Sequence, residues 1–143
     1  MYKSILLSVD LNHEKSWENA LPAALKLTKT LGAELHVVTI VPRIGMSIVG
    51  TFLPEDFEKK ALERAAEALH EFAVQNIPED IRGKRHVAHG TVRDEILKAA
   101  DTLHCDLIVM APHRRGLQNI LIGPNTEYVV RHAKQSVLVI RGD

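Results

Sequence analysis

A chain of 143 residues with 45% apolar and 25% charged side chains is long enough to bury a core, and its balance is neither that of a disordered chain nor that of a fibrous one. Its 18 Lys and Arg cancel its 18 Asp and Glu, which argues against a protein whose main task is to coat nucleic acid or an anionic membrane. The cancellation hides an asymmetry: residues 111–143 carry five basic against two acidic side chains, so an anion site is expected in the last quarter. The lone Cys105 can form no internal disulfide, the apolar run after Lys3 is too short for a signal-peptide core, and no stretch reaches the ~20 apolar residues that cross a bilayer. A reduced, cytoplasmic setting without membrane attachment is the expectation.

In chain order, the first apolar run is Ile5, Leu6, Leu7 and Val9, nearly continuous as in a strand covered on both faces, and it ends at Asp10. A helix follows, with Ser16 placed to cap it, Trp17, Leu21, Ala24, Thr28 and Leu31 along its apolar face, and Gly32 to stop it. Pro22 falls inside that pattern and predicts a kink or a late start. The second strand covers residues 35–41. The connector 42–54 is long and apolar for a loop, and reads as a lid beside a ligand, a second contact between copies, or a cover over the sheet edge. Pro54, Glu55 and Asp56 then open a helix whose apolar positions are Phe57, Ala61, Leu62, Ala65, Leu69 and Phe72. Residues 85–89 form a weaker run, expected nearer a sheet edge. Thr91 and Asp94 have capping-box spacing ahead of Ile96, Leu97, Ala100 and Leu103. A strand at 107–110, a basic turn, a helix from about Asn125 to Ala133 and a last strand of Val137, Leu138, Val139 and Ile140 complete the chain.

Alternating strands and helices with short links make βαβ units, hence a parallel sheet with right-handed crossovers. A closed eightfold barrel needs ~250 residues, so the expected architecture is α/β, an open, doubly wound, five-stranded sheet with helices on both faces, in one domain over residues 1–143. Ligands of such sheets bind beyond the carboxyl ends of the strands, where the winding reverses. With the strands in the order 3-2-1-4-5, that point brings Asp10 opposite Met110, Ala111 and His113. Asp10 there either hydrogen-bonds a ribose or base edge or caps the turn that follows it. His113, Arg114 and Arg115 supply three potential cations, and Gly123, Asn125 and Thr126 open a helix whose unpaired amides favour phosphate. No P-loop and no glycine-rich dinucleotide turn is present, and no catalytic residue is assigned. Of the eight histidines, His86 and His89 point to opposite faces of a strand and no others share a motif, so no metal site is expected.

These residues together resemble the universal stress protein family over essentially the whole chain. The resemblance rests on the opening from Lys3 to Asp10, on Gly32, Ala33 and Glu34 before the second strand, on Gly90 before the third helix, and on segments 106–110 and 136–140. It implies the sheet order 3-2-1-4-5, dimers through the last strand (Val137, Leu138, Val139 and Ile140), and an ATP-binding branch. In that branch Asp10 and Ile40 approach the adenine, Met110 and Ala111 the adenosine, and the loop of His113, Arg114 and Arg115 with Gly123, Asn125 and Thr126 the phosphates. The implied ligand is ATP, ADP or AMP, with magnesium accompanying the nucleotide. The implied role is that of a dimeric sensor or regulator of a stress response with an unidentified protein partner. A nucleotide-independent interaction module and a slow ATPase are the alternatives. The branch motif, Gly-x-x-Gly followed after about nine residues by Gly and a hydroxyl residue, is altered here: Ala111 and Arg114 stand at the first two glycines, the interval to Gly123 is one residue shorter, and Pro124 replaces the hydroxyl residue. Arg114 offers phosphate a charged fork, whereas Pro124 has no N–H to give. A receiver domain has the same layers but needs further acids and a lysine, and only Asp10 is in place.

Overall fold

The computed structural model describes residues 1–43, 56–112 and 122–142. In chain order its elements are β1 (Ser4–Ser8), α1 (Ala20–Leu31), β2 (Glu34–Pro42), α2 (Phe57–Asn76), β3 (Arg82–Gly90), α3 (Val92–Thr102), β4 (Leu107–Met110), α4 (Pro124–His132) and β5 (Ser136–Val139). The strands form one five-stranded sheet in the order β3-β2-β1-β4-β5, and every neighbouring pair is parallel. This is the doubly wound sheet expected from the alternation of strand and helix. The connector 44–55 lies outside the described residues.

The central strand explains why its sequence is apolar without alternation. Ile5 and Leu7 face one core with Leu35, Val37, Leu107 and Val109, where Ala20, Leu21 and Ala24 of α1 and Leu69, Phe72 and Ala73 of α2 pack. Leu6, between them, faces a second core with Val38 and Ile108, covered by Ile96, Ala99 and Ala100 of α3 and Val129 of α4. Ile5, Leu6 and Leu7 are all fully buried, and each such side chain contributes roughly 1.5–3 kcal/mol by leaving water.

Several element boundaries differ from the sequence expectation for local reasons. Ser16 does not cap α1; it ends a one-turn 3-10 helix over Glu14–Ser16, and α1 begins at Ala20. The late start puts Pro22 in the first turn, where a missing N–H breaks no intrahelical bond. Gly32 closes α1 in a left-handed conformation at φ 64°, which leaves Leu31 at the rim, 36% exposed. Thr91 is extended at the α3 N-cap but its side chain makes no capping bond, so the Thr91 and Asp94 spacing does not close a capping box. Glu95 N–H donates to the Thr91 carbonyl at 2.9 Å and starts the helix instead.

Strand β3 is an edge, as its weak pattern indicated, but runs longer than residues 85–89. Its pairing with β2 shifts between Leu35 and Val37, where β3 carries an extra residue. There the buried ring of His36 reaches across and accepts the Lys84 backbone N–H at Nδ1, 2.8 Å away. Burial holds the His36 imidazole below its usual pKa; Glu34 opposes that shift and Lys84 adds to it. Among the described residues, no helix is long and apolar enough to cross a membrane.

Candidate functional site

β1 and β4 are neighbours in register, Leu7 beside Val109, yet the helices that follow them leave on opposite faces, α1 into one core and α4 into the other. Their carboxyl ends therefore border a crevice, the place where an open sheet offers backbone ends and diverging loops to a ligand. The β1 side of that crevice is built on Asp10. Its Oδ1 accepts the Asn12 backbone N–H at 3.0 Å, and its Oδ2 lies 2.9 Å from His13 Nδ1. The Ser16 hydroxyl accepts the Asp10 N–H at 2.9 Å and donates to the Asp10 carbonyl at 3.0 Å. Asp10 thus caps its own turn, one of the two roles open to it from sequence. An ionised carboxylate is acceptor-only, and each oxygen here keeps a lone pair for a further donor.

The β4 side is held at two successive carbonyls. Met110 O accepts the Ile140 N–H at 2.9 Å, and Ala111 O accepts the Thr126 hydroxyl at 3.3 Å. Thr126 is fully buried, so its hydroxyl is spent on fastening the first turn of α4 to the end of β4, and its backbone N–H is the group left facing the helix mouth. α4 starts at Pro124, with Gly123 as N-cap at φ 81°, ψ 160°, a region open essentially to glycine alone. The first intrahelical bond runs from Glu127 N–H to Gly123 O, 3.0 Å. The amides of Asn125 and Thr126 precede it and carry the partial positive charge of the helix start, while Pro124 contributes none.

Of the residues picked from sequence, Asp10, Met110, Ala111, Gly123, Asn125 and Thr126 stand at the ends of β1 and β4 and the start of α4, and Ile40 stands near the carboxyl end of β2, packed against the second core. His113, Arg114 and Arg115 lie outside the described residues. Asn12 belongs to the loop after Asp10 that the switch-point argument places in the pocket, whereas His13 and Ser16 are not among the residues that sequence points to, Ser16 reading as a helix cap. The readable signal was an aspartate at a strand end with asparagine two residues on, the spacing of an Asx turn. Among the described residues no group of three or more His, Cys, Asp or Glu is placed to hold a metal ion. Cys105, at the far end of β4, is buried beside Ser4, and that burial raises its thiol pKa, away from the thiolate a reactive cysteine needs.

The sequence profile described as the Universal stress protein family matches residues 1–141. Universal stress protein G of Shigella flexneri is 29% identical over 143 residues, 99% of this chain and 100% of its own length. The universal stress protein from Archaeoglobus fulgidus solved in complex with dAMP superposes with a TM-score of 0.67 at 22% identity, over 97% of this chain and 98% of that one. A universal stress protein solved in complex with cAMP gives 0.60 at 19% identity, over 99% and 98%. The two structures share the fold, and the profile and the curated relative share the sequence pattern over nearly its full length: the chain belongs to the universal stress protein family.

Proposed function

We propose that this protein binds an adenine nucleotide, ATP in the first place, in the crevice between the ends of β1 and β4, and that it acts as a cytoplasmic, dimeric sensor or regulator without catalytic machinery of its own. The observation that carries the reading is the chemical polarity of that crevice: an acceptor-only carboxylate at Asp10 on one side and the amide mouth of α4, fastened to β4 through Thr126, on the other. An adenosine phosphate has the matching polarity, with donor groups on its base and ribose and anionic oxygens at its far end. Asp10 takes the exocyclic amine or a ribose hydroxyl, Ile40 and Met110 flank the base, and Ala111 meets the ribose. The amides of Asn125 and Thr126, the approach allowed by Gly123, and His113, Arg114 and Arg115 receive the phosphates. The dAMP and cAMP complexes of the two related proteins support an adenine nucleotide as the ligand class.

Magnesium accompanies ATP through its phosphate oxygens. The acid in the first turn of α4, Glu127, is paired with Arg131 at 2.8 Å, so this reading assigns the ion no ligand among the described residues, and with no P-loop in the sequence hydrolysis is at most slow. The second reading is an interaction module that needs no nucleotide, favoured by Pro124 at the first helical position. In both readings the pair-forming surface is the outer edge of β5 with Val137, Leu138, Val139 and Ile140, because an edge strand left open invites another strand.

Titration calorimetry with ATP, AMP and adenosine on the wild type and on Arg114→Ala tests the proposal. Loss of a charge-assisted phosphate bond, worth about 1.5–3 kcal/mol, should weaken ATP by about tenfold or more and leave adenosine nearly unchanged. Absence of heat and of any thermal shift at millimolar nucleotide would overturn it in favour of the interaction module.

A further inference from the structure

The edge of the sheet opposite β5 has no role in the nucleotide reading, and its surroundings are those of a binding groove. Among the described residues β3 is the outermost strand on that side, and alternate residues of an edge strand turn their N–H and C=O groups away from the sheet. The register shift near Gly83 and Lys84 interrupts the amino end of this edge, while from Arg85 to Gly90 the pairing with β2 is regular. Beside that regular stretch runs α2, tied to the end of β3 by His89 Nδ1 and Glu58 Oε1 at 2.7 Å. Between the two lies an open groove of about 500 Å³. Its apolar part is Ala66, Leu69 and Val87; its polar rim is Glu67 and Glu71, one helical turn apart, with His70 between them and Arg85 opposite. Glu67, Glu71 and Arg85 take no part in the ion pairs found among the described residues, and with His70 neutral two acids against one base leave the rim net negative.

We propose that this groove receives an extended, basic peptide segment of a partner protein, which adds to β3 as a further strand. A groove walled by a strand edge and a helix accommodates an added strand whose alternate side chains enter it, with main-chain bonds supplying affinity and pockets supplying selectivity. One small apolar side chain fits over Ala66 and Val87, and a Lys or Arg two residues along meets Glu67 and Glu71. A second copy of this chain is the poorer occupant. A two-fold axis through the β3 edge would set each α2 beside its symmetry mate and bring Glu67 and Glu71 toward their own equivalents, an uncompensated like-charge contact.

Fluorescence polarisation with the full chain tests this, using a labelled octapeptide that alternates Thr with Val or Lys. Saturable binding is expected, with at least a tenfold loss when Glu replaces Lys in the peptide. A similar loss is expected when alternate peptide amides are N-methylated, which keeps every side chain but removes strand pairing. The double variant Glu67→Lys, Glu71→Lys, both on exposed helix surface, should lose at least tenfold with an unchanged melting midpoint and unchanged ATP titration. No saturable binding of the Lys peptide, or equal binding of the N-methylated form, overturns the proposal. So does sedimentation showing self-association that the double variant abolishes, which would make a second copy the occupant.

Discussion

Gly83→Ala probes the contact that shapes the β2–β3 edge. His36 is 5% exposed, and its ring occupies the space that any side chain at position 83 would need: a Cβ there would lie 2.5 Å from Nδ1 and 2.7 Å from Cε1. Alanine must therefore push the imidazole aside and break the 2.8 Å bond from the Lys84 amide. Stranding that amide costs about 1–3 kcal/mol, and forcing a methyl group into a packed site costs about as much again, so a total of about 2–6 kcal/mol is expected. For 143 residues, at ~2.1 cal/mol/K of unfolding entropy per residue, each kcal/mol lowers the melting midpoint by about 3.3 °C, which gives a fall of about 7–20 °C. Calorimetric melts of the wild type, Gly83→Ala, His36→Ala and the double variant form the assay. With the ring gone the three nearest atoms to the new methyl group go with it, so the second substitution should cost under ~0.5 kcal/mol in the His36→Ala background. Strict additivity, or a Gly83→Ala midpoint equal to the wild type, would refute the steric argument.

The same histidine should make stability depend on pH. Because its pKa is lowered in the folded state, chiefly by burial, its contribution is complete above the ordinary imidazole value of about 6.5 and is lost as the pH falls below it; urea midpoints at pH 7.5 and 5.5 should diverge in the wild type and converge in His36→Gln. Gly123→Ala forces a side chain into φ 81°, ψ 160° at a cost of about 1–3 kcal/mol, and by re-aiming the start of α4 it should also weaken ATP in calorimetry; an unchanged thermal midpoint would mean the backbone there relaxes freely. Val139→Pro addresses the proposed dimer. Ile140 N–H points inward to Met110 O, so the Val139 N–H points outward, and proline there removes an edge donor without touching the β4 ladder; sedimentation should then show a monomer of intact helical signal, and a persisting dimer would place the interface elsewhere.

The strands were the most readable part of the sequence because burial on two faces leaves a run such as Ile5, Leu6 and Leu7 no polar position, and the strand order followed from the family resemblance. Helix starts were the least readable. Ser16 and Thr91 both have cap-forming side chains, but Ser16 is drawn to the Asp10 backbone and Thr91 offers its carbonyl instead; such tertiary competition leaves no local trace. The extra residue in β3 was hidden for the same reason, since it depends on a ring forty-eight positions away in the chain. Asp10 and the Gly123 to Thr126 segment could be found because each sits just beyond a recognisable element. The use of the Thr126 hydroxyl to fasten α4 could not, as nothing near it in sequence signals that its acceptor is Ala111.

Two adjacent carbonyls at the tip of β4 have a mechanical consequence. Met110 O anchors β5 and Ala111 O anchors the opening turn of the last helix, so two successive peptide units, joined at Ala111, link the lip of the crevice to the border of the sheet. The mouth of α4 and the outer strand are thus held one residue apart on the same stretch of chain.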